Sequence, residues 1–414
     1  MNAERRAFAS TAMKFATRIL GGTPRTLISP SDRVHLFEDA NGTRMAAVAN
    51  PGEEVGAGAR ILAYALATCG GRELDLVLPP HLVAQSQSRL AWVDGDVQTW
   101  RYAKDDLEEL DALYRDDVLS SAKEAKTGTK PPYEVPEPLV SWVSDLVAGM
   151  KDDGLQEHHR SCWSLHKDGL QVLRITATKR PLKLRVVAGV NYTKPPEGHE
   201  PVRTEFTEAP TSDEIAAIKG AVSRSVEFGS LTSQMVEHEF QAHLARPDAK
   251  GVMGFSEVWR EVPAVRLGCG KEGGNGSGMI DLVGATGENL LHVIEVKVGG
   301  DPGVALQALD YAIWMRAHEG DLRQVWGLAQ APPGRSDTSL PPMDLVLANH
   351  HKGKKAVDRY LAAVIGSLSD QIKQEIRVWV CADPLAESLT LERLTLAELW
   401  EASEYCARPL KPPR

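Results

Sequence analysis

The stretch "GSGMIDLVGATGENLLHVIEVKV", Gly276–Val298, decides how this chain is read. Its apolar runs, "MIDLV" and "LHVIEVKV", read as two strands joined by a turn in "GATGEN". Side chains along a strand alternate between faces, so Glu295 and Lys297 share one face while Ile294, Val296 and Val298 share the other. A turn centred near Gly287 makes the strands antiparallel and brings Asp281 across from Glu295 to within a residue or two. Charged groups inside apolar strands are costly unless they are paired or coordinate a metal. Two carboxylates and one ammonium therefore meet at one spot on a sheet. A divalent cation with oxygen ligands satisfies two carboxylates that would otherwise repel.

Working outward, "LTSQMVEHEFQAHLAR" reads as a helix and "SEVWREVPAVRL" as a strand ahead of the central pair. "DPGVALQALDYAIWMRAH" reads as a helix with Asp301 as N-cap and Pro302 in its first turn. "MDLVLAN" and "IRVWVCAD" add two strands, with the helix "KKAVDRYLAAVIGSL" between them. The order is helix, three strands, helix, strand, helix, strand, which is an α/β block spanning about 231–385, with a helix and tail over 386–414.

The first 120 residues predict a smaller α/β domain of their own. "RVHLFED" and "RMAAVAN" form a strand pair joined at "ANGT", followed by the helix "VGAGARILAYALATCGG" and the strand "ELDLVLP". "HLVAQSQSRLAWV" and "VQTWRY" repeat the alternation. Asp75 in "ELDLVLP" has no partner carboxylate and lysine after it and reads as a strand-edge charge. The opening residues read as a surface helix. Ser121–Pro138, rich in Lys and Pro, reads as a linker. Residues 139–230 read as a β-rich segment, with two antiparallel strands turning at "KRP", and a helical connector at "TSDEIAAIKGAVSRSV". No internal repeat is legible.

Asp281, thirteen residues, then Glu295-Val296-Lys297 resembles the PD-(D/E)xK nuclease superfamily, whose domain is the restriction-endonuclease-like mixed sheet flanked by helices. Gln307 and Tyr311 match the Q-x-x-x-Y signature of its RecB-like branch. Glu237, in "EHEFQAHL", matches the glutamate of the helix ahead of the sheet, a combination similar to Shedu-type domains of DNA defence and repair proteins. Ile280 stands where the family name has proline, a departure that many RecB-like members share. The matching motifs span Glu237 to Tyr311 only. The resemblance implies a Mg²⁺-dependent nuclease, with Mn²⁺ a substitute, whose expected substrate is DNA, with RNA the alternative. It implies Asp281, Glu295 and Glu237 as metal ligands, with Lys297, Gln307 and Tyr311 completing the catalytic set. The competing readings are a structural cross-strand ion pair at the same residues, and a binding or sensor module that keeps the fold without the chemistry.

Composition bounds these readings. At 414 residues, 43% hydrophobic and 25% charged, the chain is expected to be globular and cytoplasmic, with no membrane span and a homo-oligomer left open. Five scattered cysteines form no disulfide framework. A net charge of −9 argues against coating nucleic acid by bulk electrostatics but leaves room for a local basic groove. "GCGKEGGNGSG" fits GxGxxG formally, yet a strand follows it where a dinucleotide loop needs a helix. "HHRSCWSLH" matches no zinc spacing. "NHHKGKK" is a basic loop suited to a solvated turn or to phosphate contact.

Overall fold

The computed structural model describes residues 3–125, 134–148, 150, 155–159, 162–167, 170–190, 197–198, 200–228, 233–268, 276–330, 338–350 and 355–406. The chain forms two compact units, one of residues 1–128, 247–383 and 390–414, the other of 129–246 and 384–389. Both are α/β, with sheets flanked by helices.

The first part of the larger unit runs α1 (Ala3–Leu20), β1 (Arg25–Thr26), β2 (Val34–Glu38), β3 (Arg44–Ala49), α2 (Gly58–Cys69), β4 (Glu73–Leu78), α3 (Pro80–Leu90), β5 (Val97–Ala103), β6 (Asp106–Leu110) and α4 (Arg115–Glu124). Its six strands lie in sequence order, antiparallel over β1-β2-β3, parallel over β3-β4-β5 and antiparallel at β6. Helix α2 stops at Gly70, whose left-handed backbone (φ 60°) suits a residue with no Cβ. One face of α1 is not a surface: Ala12, Phe15 and Ala16 are buried on the sheet beside Val48, Val77 and Tyr102.

The smaller unit holds α5 (Glu137–Val147), β7 (Gln156–His159), β8 (Trp163–Lys167), β9 (Leu170–Lys179), β10 (Leu182–Ala188), β11 (Val202–Phe206), α6 (Ser212–Phe228) and α7 (Ser233–Leu244). Its sheet has the order β11-β10-β9-β8-β7 and is antiparallel throughout, with β9 and β10 meeting at Lys179 and Leu182 around the expected turn. Leu139, Leu146, Leu173, Leu184 and Ile218 share its core.

The chain then returns to the larger unit with α8 (Pro247–Val252), β12 (Glu257–Arg266), β13 (Gly276–Ala285), β14 (Leu291–Val298), α9 (Val304–Ala317), α10 (Glu319–Val325), β15 (Met343–Ala348), α11 (Leu361–Ser367), α12 (Asp370–Gln374), β16 (Ile376–Cys381), β17 (Leu391–Leu394) and α13 (Leu396–Cys406). The second six-stranded sheet is again in sequence order, antiparallel over β12-β13-β14, parallel over β14-β15-β16 and antiparallel at β17.

The first 125 residues and the C-terminal block from Pro247 onward fold as one body where the sequence suggested two, and the helix expected to open that block, α7, belongs to the smaller unit instead. Leu36, Leu62, Leu76 and Trp92 lie in the same buried cluster as Ile280, Leu306, Trp314 and Leu361. Helix α9 is the reason. Its buried residues run nearly unbroken from Val304 to Met315, and a helix apolar all round must be covered all round. Strands β12, β14 and β15 cover one side, while α2, α3, α4 and α11 cover others. The expected linker is correspondingly shorter. Ser121–Glu124 belong to α4, with Ala122 fully buried, and the core of that stretch, 126–133, lies outside the described residues.

Asp75 is likewise no edge charge. It is 1% exposed and accepts hydrogen bonds from Arg44 Nη2 at 2.9 Å and Trp100 Nε1 at 2.8 Å. In the second sheet Asp344, fully buried, accepts from Arg377 and from Trp379 Nε1 and bonds His292 Nδ1 at 2.8 Å. Burial alone would push the Asp344 carboxyl up, but the hydrogen bonds from His292 and Arg377, with their charges, hold it below the ordinary value of 3.8. A carboxyl depressed on folding stabilises the fold fully above its unfolded value. That contribution is lost as pH falls through 3.8 towards the folded value. Urea midpoints measured from neutral pH downward should fall more steeply below about pH 4 for wild type than for Asp344→Asn. Parallel curves would show that Asp344 carries no such linkage.

Candidate active site on the second sheet

The register of the central pair is the one the turn predicts. Leu282 faces Ile294, which puts Asp281 beside Glu295, the next residue along. Asp281 Oδ2 accepts the backbone N–H of Val296 at 2.8 Å, so the carboxylate is fastened to the neighbouring strand. Lys297 Nζ lies 3.3 Å from Glu295 Oε1 and 3.9 Å from Asp281 Oδ2. The side chains of Glu295, Asp281 and Lys297 are 4%, 16% and 18% exposed. A surface ion pair would be wetter. This cluster is largely withdrawn from water, where each charge acts more strongly on its neighbours.

Tyr311 comes from α9 to the same place. Burial raises its hydroxyl pKa well above the ordinary value, and the negative charges of Glu295 and Asp281 add to that rise against the opposing charge of Arg266. Arg266, on β12, sits with its guanidinium carbon 5.9 Å from the Tyr311 ring centre. Gly278 makes this approach feasible: a Cβ there would lie 3.0 Å from the Tyr311 hydroxyl oxygen and 3.2 Å from Arg266 Nε. Neither Arg266 nor Gly278 was singled out from the sequence. The glycine alternation in "GSGM", at the start of an otherwise apolar strand, was the available signal.

Gln307 lies one helical turn before Tyr311 and is half-buried. Asp301 is not the helix N-cap. Helix α9 starts at Val304 after Gly303, and Asp301 Oδ1 accepts the Gly303 N–H at 2.9 Å in the preceding turn. Asp301 also pairs with Arg60 Nη2 at 2.9 Å. Burial opposes its ionisation, yet the bonds from Arg60 and Gly303 hold its pKa below the ordinary value, with the nearby Lys297 charge contributing. Glu237 lies half-buried on α7, in the smaller unit, whose body is distinct from the one carrying Asp281 and Glu295.

Among the described residues, no group of three or more His, Cys, Asp or Glu is placed to hold a metal ion. Also among them, no helix is long and apolar enough to cross a membrane. Residues 269–275 of the glycine-rich loop and 351–354 of the basic loop lie outside the described residues. Compared with known proteins, the chain matches no family model, no curated protein and no solved structure.

Proposed function

We propose that this chain is a metal-dependent nuclease of the restriction-endonuclease-like type, hydrolysing phosphodiester bonds in DNA at Asp281, Glu295 and Lys297. The observation that carries the reading is the withdrawn cluster itself: two carboxylates from adjacent strands beside the Lys297 ammonium. The donor set fits Mg²⁺ or Mn²⁺. Mg²⁺ binds through one or two carboxylates, while waters and substrate phosphate oxygens complete its coordination. A cation held by Asp281 and Glu295 would supply Lewis-acid polarisation of the phosphate and lower the pKa of a bound water.

The chain's own groups do the rest. Asp281, anchored by the Val296 N–H, cannot swing away and so keeps the carboxylate pair together. Lys297 presents its ammonium to the charge that grows on the phosphate oxygens. Tyr311 stays protonated at any working pH, because burial and the neighbouring carboxylates resist its ionisation, and so remains a hydrogen-bond donor. Gln307, one turn away, positions substrate or braces Lys297. In the reaction the water oxygen bonds to phosphorus and the bond from phosphorus to one sugar oxygen breaks. The water's proton ends on that leaving oxygen, giving a phosphate monoester and an alcohol.

Incubation with linear, circular and single-stranded DNA, and with RNA, should show cleavage in Mg²⁺ or Mn²⁺ and none in EDTA. Calorimetry with Mn²⁺ should show binding that Asp281→Ala weakens strongly. Equal binding by the two proteins would remove the metal site. Wild type that binds DNA and never cuts it would decide for a binding module.

A further inference from the structure

The two sheets of the larger unit are the same sheet twice. Strand order, strand directions and the placing of helices after the third and fourth strands coincide between β1–β6 and β12–β17. The match reaches single residues. Ala46 faces Asp75 as Ile294 faces Asp344, and Asp75 faces Gln98 as Asp344 faces Arg377. Two residues beyond Gln98 and Arg377 stand Trp100 and Trp379, each giving its indole N–H to the aspartate. Two residues before Ala46 and Ile294 stand Arg44 and His292, each bonded to the other carboxylate oxygen.

The copies also pack reciprocally. Helix α2 lies on α11 while α3 lies on α9, so the helix after the third strand of each copy meets the helix after the fourth strand of the other. Val93 and Leu368, which precede the fifth strand of their copies, pair with each other as an antiparallel bridge. Asp94 N donates to Ser367 O at 2.9 Å and Ser369 N to Trp92 O at 2.8 Å. Mutual contacts of this kind are those of a two-fold dimer, here made within one chain.

Carrying the register one step further locates the missing centre. Glu295 and Lys297 follow Ile294 by one and three residues, so their counterparts after Ala46 are Ala47 and Ala49. Asp281 precedes Leu282, which faces Ile294, just as Leu36 precedes Phe37, which faces Ala46. Leu36, Ala47 and Ala49 are all fully buried. At that end of β3, Glu53 is held by Arg33 at 2.5 Å. Leucine and two alanines can neither hold a cation nor stabilise a phosphate.

We infer that each chain is a built-in dimer with one reactive centre and one retired position, and that on duplex DNA it breaks one strand per encounter, leaving a nick. This rests on the nuclease reading. A two-fold pair of centres can meet two antiparallel strands symmetrically, whereas this unit presents chemistry to only one of them. The product is a relaxed circle when the substrate is a supercoiled plasmid.

The test uses the full chain with plasmid in excess, in Mg²⁺ or Mn²⁺, with Lys297→Ala chains present in large excess throughout. Any assembly of chains then holds no more than one live centre. Relaxed circles should accumulate as the first product, with linear DNA appearing only after circles carry many nicks. Linear product formed in parallel with the first relaxed circles would overturn the inference and leave the nuclease reading standing. Absence of any cleavage by wild type alone would overturn both.

Discussion

Lys297→Ala is expected to lower the rate of phosphodiester cleavage by about two orders of magnitude or more, the scale of losing one preorganised electrostatic stabiliser. The ammonium, 3.3 Å from Glu295 and 3.9 Å from Asp281, acts on charge that develops in the transition state, so turnover should fall far more than affinity. Binding of DNA in Ca²⁺, where cleavage is suppressed, should change little. Lys297→Arg should not restore the rate, because a wider planar guanidinium cannot place a point charge in the same withdrawn spot. Removing the ammonium also leaves two adjacent carboxylates without their shared cation. Mn²⁺ affinity should therefore hold or rise in Lys297→Ala, opposite to the effect of Asp281→Ala. A parallel loss of DNA affinity and of whatever cleavage exists would make Lys297 a binding residue instead.

Asp310→Ala should destabilise the fold by about 3–5 kcal/mol, the usual consequence of stripping one partner from a buried ion pair. Asp310 on α9 accepts from Arg89 Nε at 2.8 Å and Nη2 at 2.7 Å, with side-chain exposures of 4% and 0%. Gln85 Nε2 adds a third donor at 3.3 Å. All three contacts cross from the first copy of the sheet to the second, so the loss should appear as one cooperative shift of the urea midpoint for the whole larger unit. Replacing both partners by apolar residues, Arg89→Met with Asp310→Leu, should recover much of the stability, since no charge is then left buried alone. Two separate transitions in Asp310→Ala would mean that the copies fold independently.

Much of the local structure followed from pattern. The alternation in "HVIEVKV", the turn in "GATGEN" and the main strands and helices of both halves of the larger unit appear where periodicity and turn residues put them, whereas the short elements β1, β6, α8, α10, α12 and β17 and the helix α4 carried too little pattern to be read. Strand formation and hairpin register depend on near neighbours, which is why Asp281, Glu295 and Lys297 could be grouped from spacing alone. The stretch "EPVRTEF" was harder: it looks polar and loop-like, yet Val202–Phe206 pair along β10, because an edge strand needs only one apolar face.

What the sequence by itself determined is therefore the α/β class, the order of the main elements, and the carboxylate, carboxylate and lysine cluster on one sheet face. The tertiary structure alone decided that 1–125 and the C-terminal block are one body, and that they are two copies of one sheet. Duplication was invisible because the copies share geometry, not letters. Arg44 does the work of His292, and Leu36, Ala47 and Ala49 stand where Asp281, Glu295 and Lys297 stand. Arg266, Gly278, Arg89 and Asp310 were out of reach for a different reason. Their partners lie on other elements of the fold, and for Arg89 and Asp310 they lie 221 residues apart. Only packing around α9, buried on nearly every side, brings such groups together.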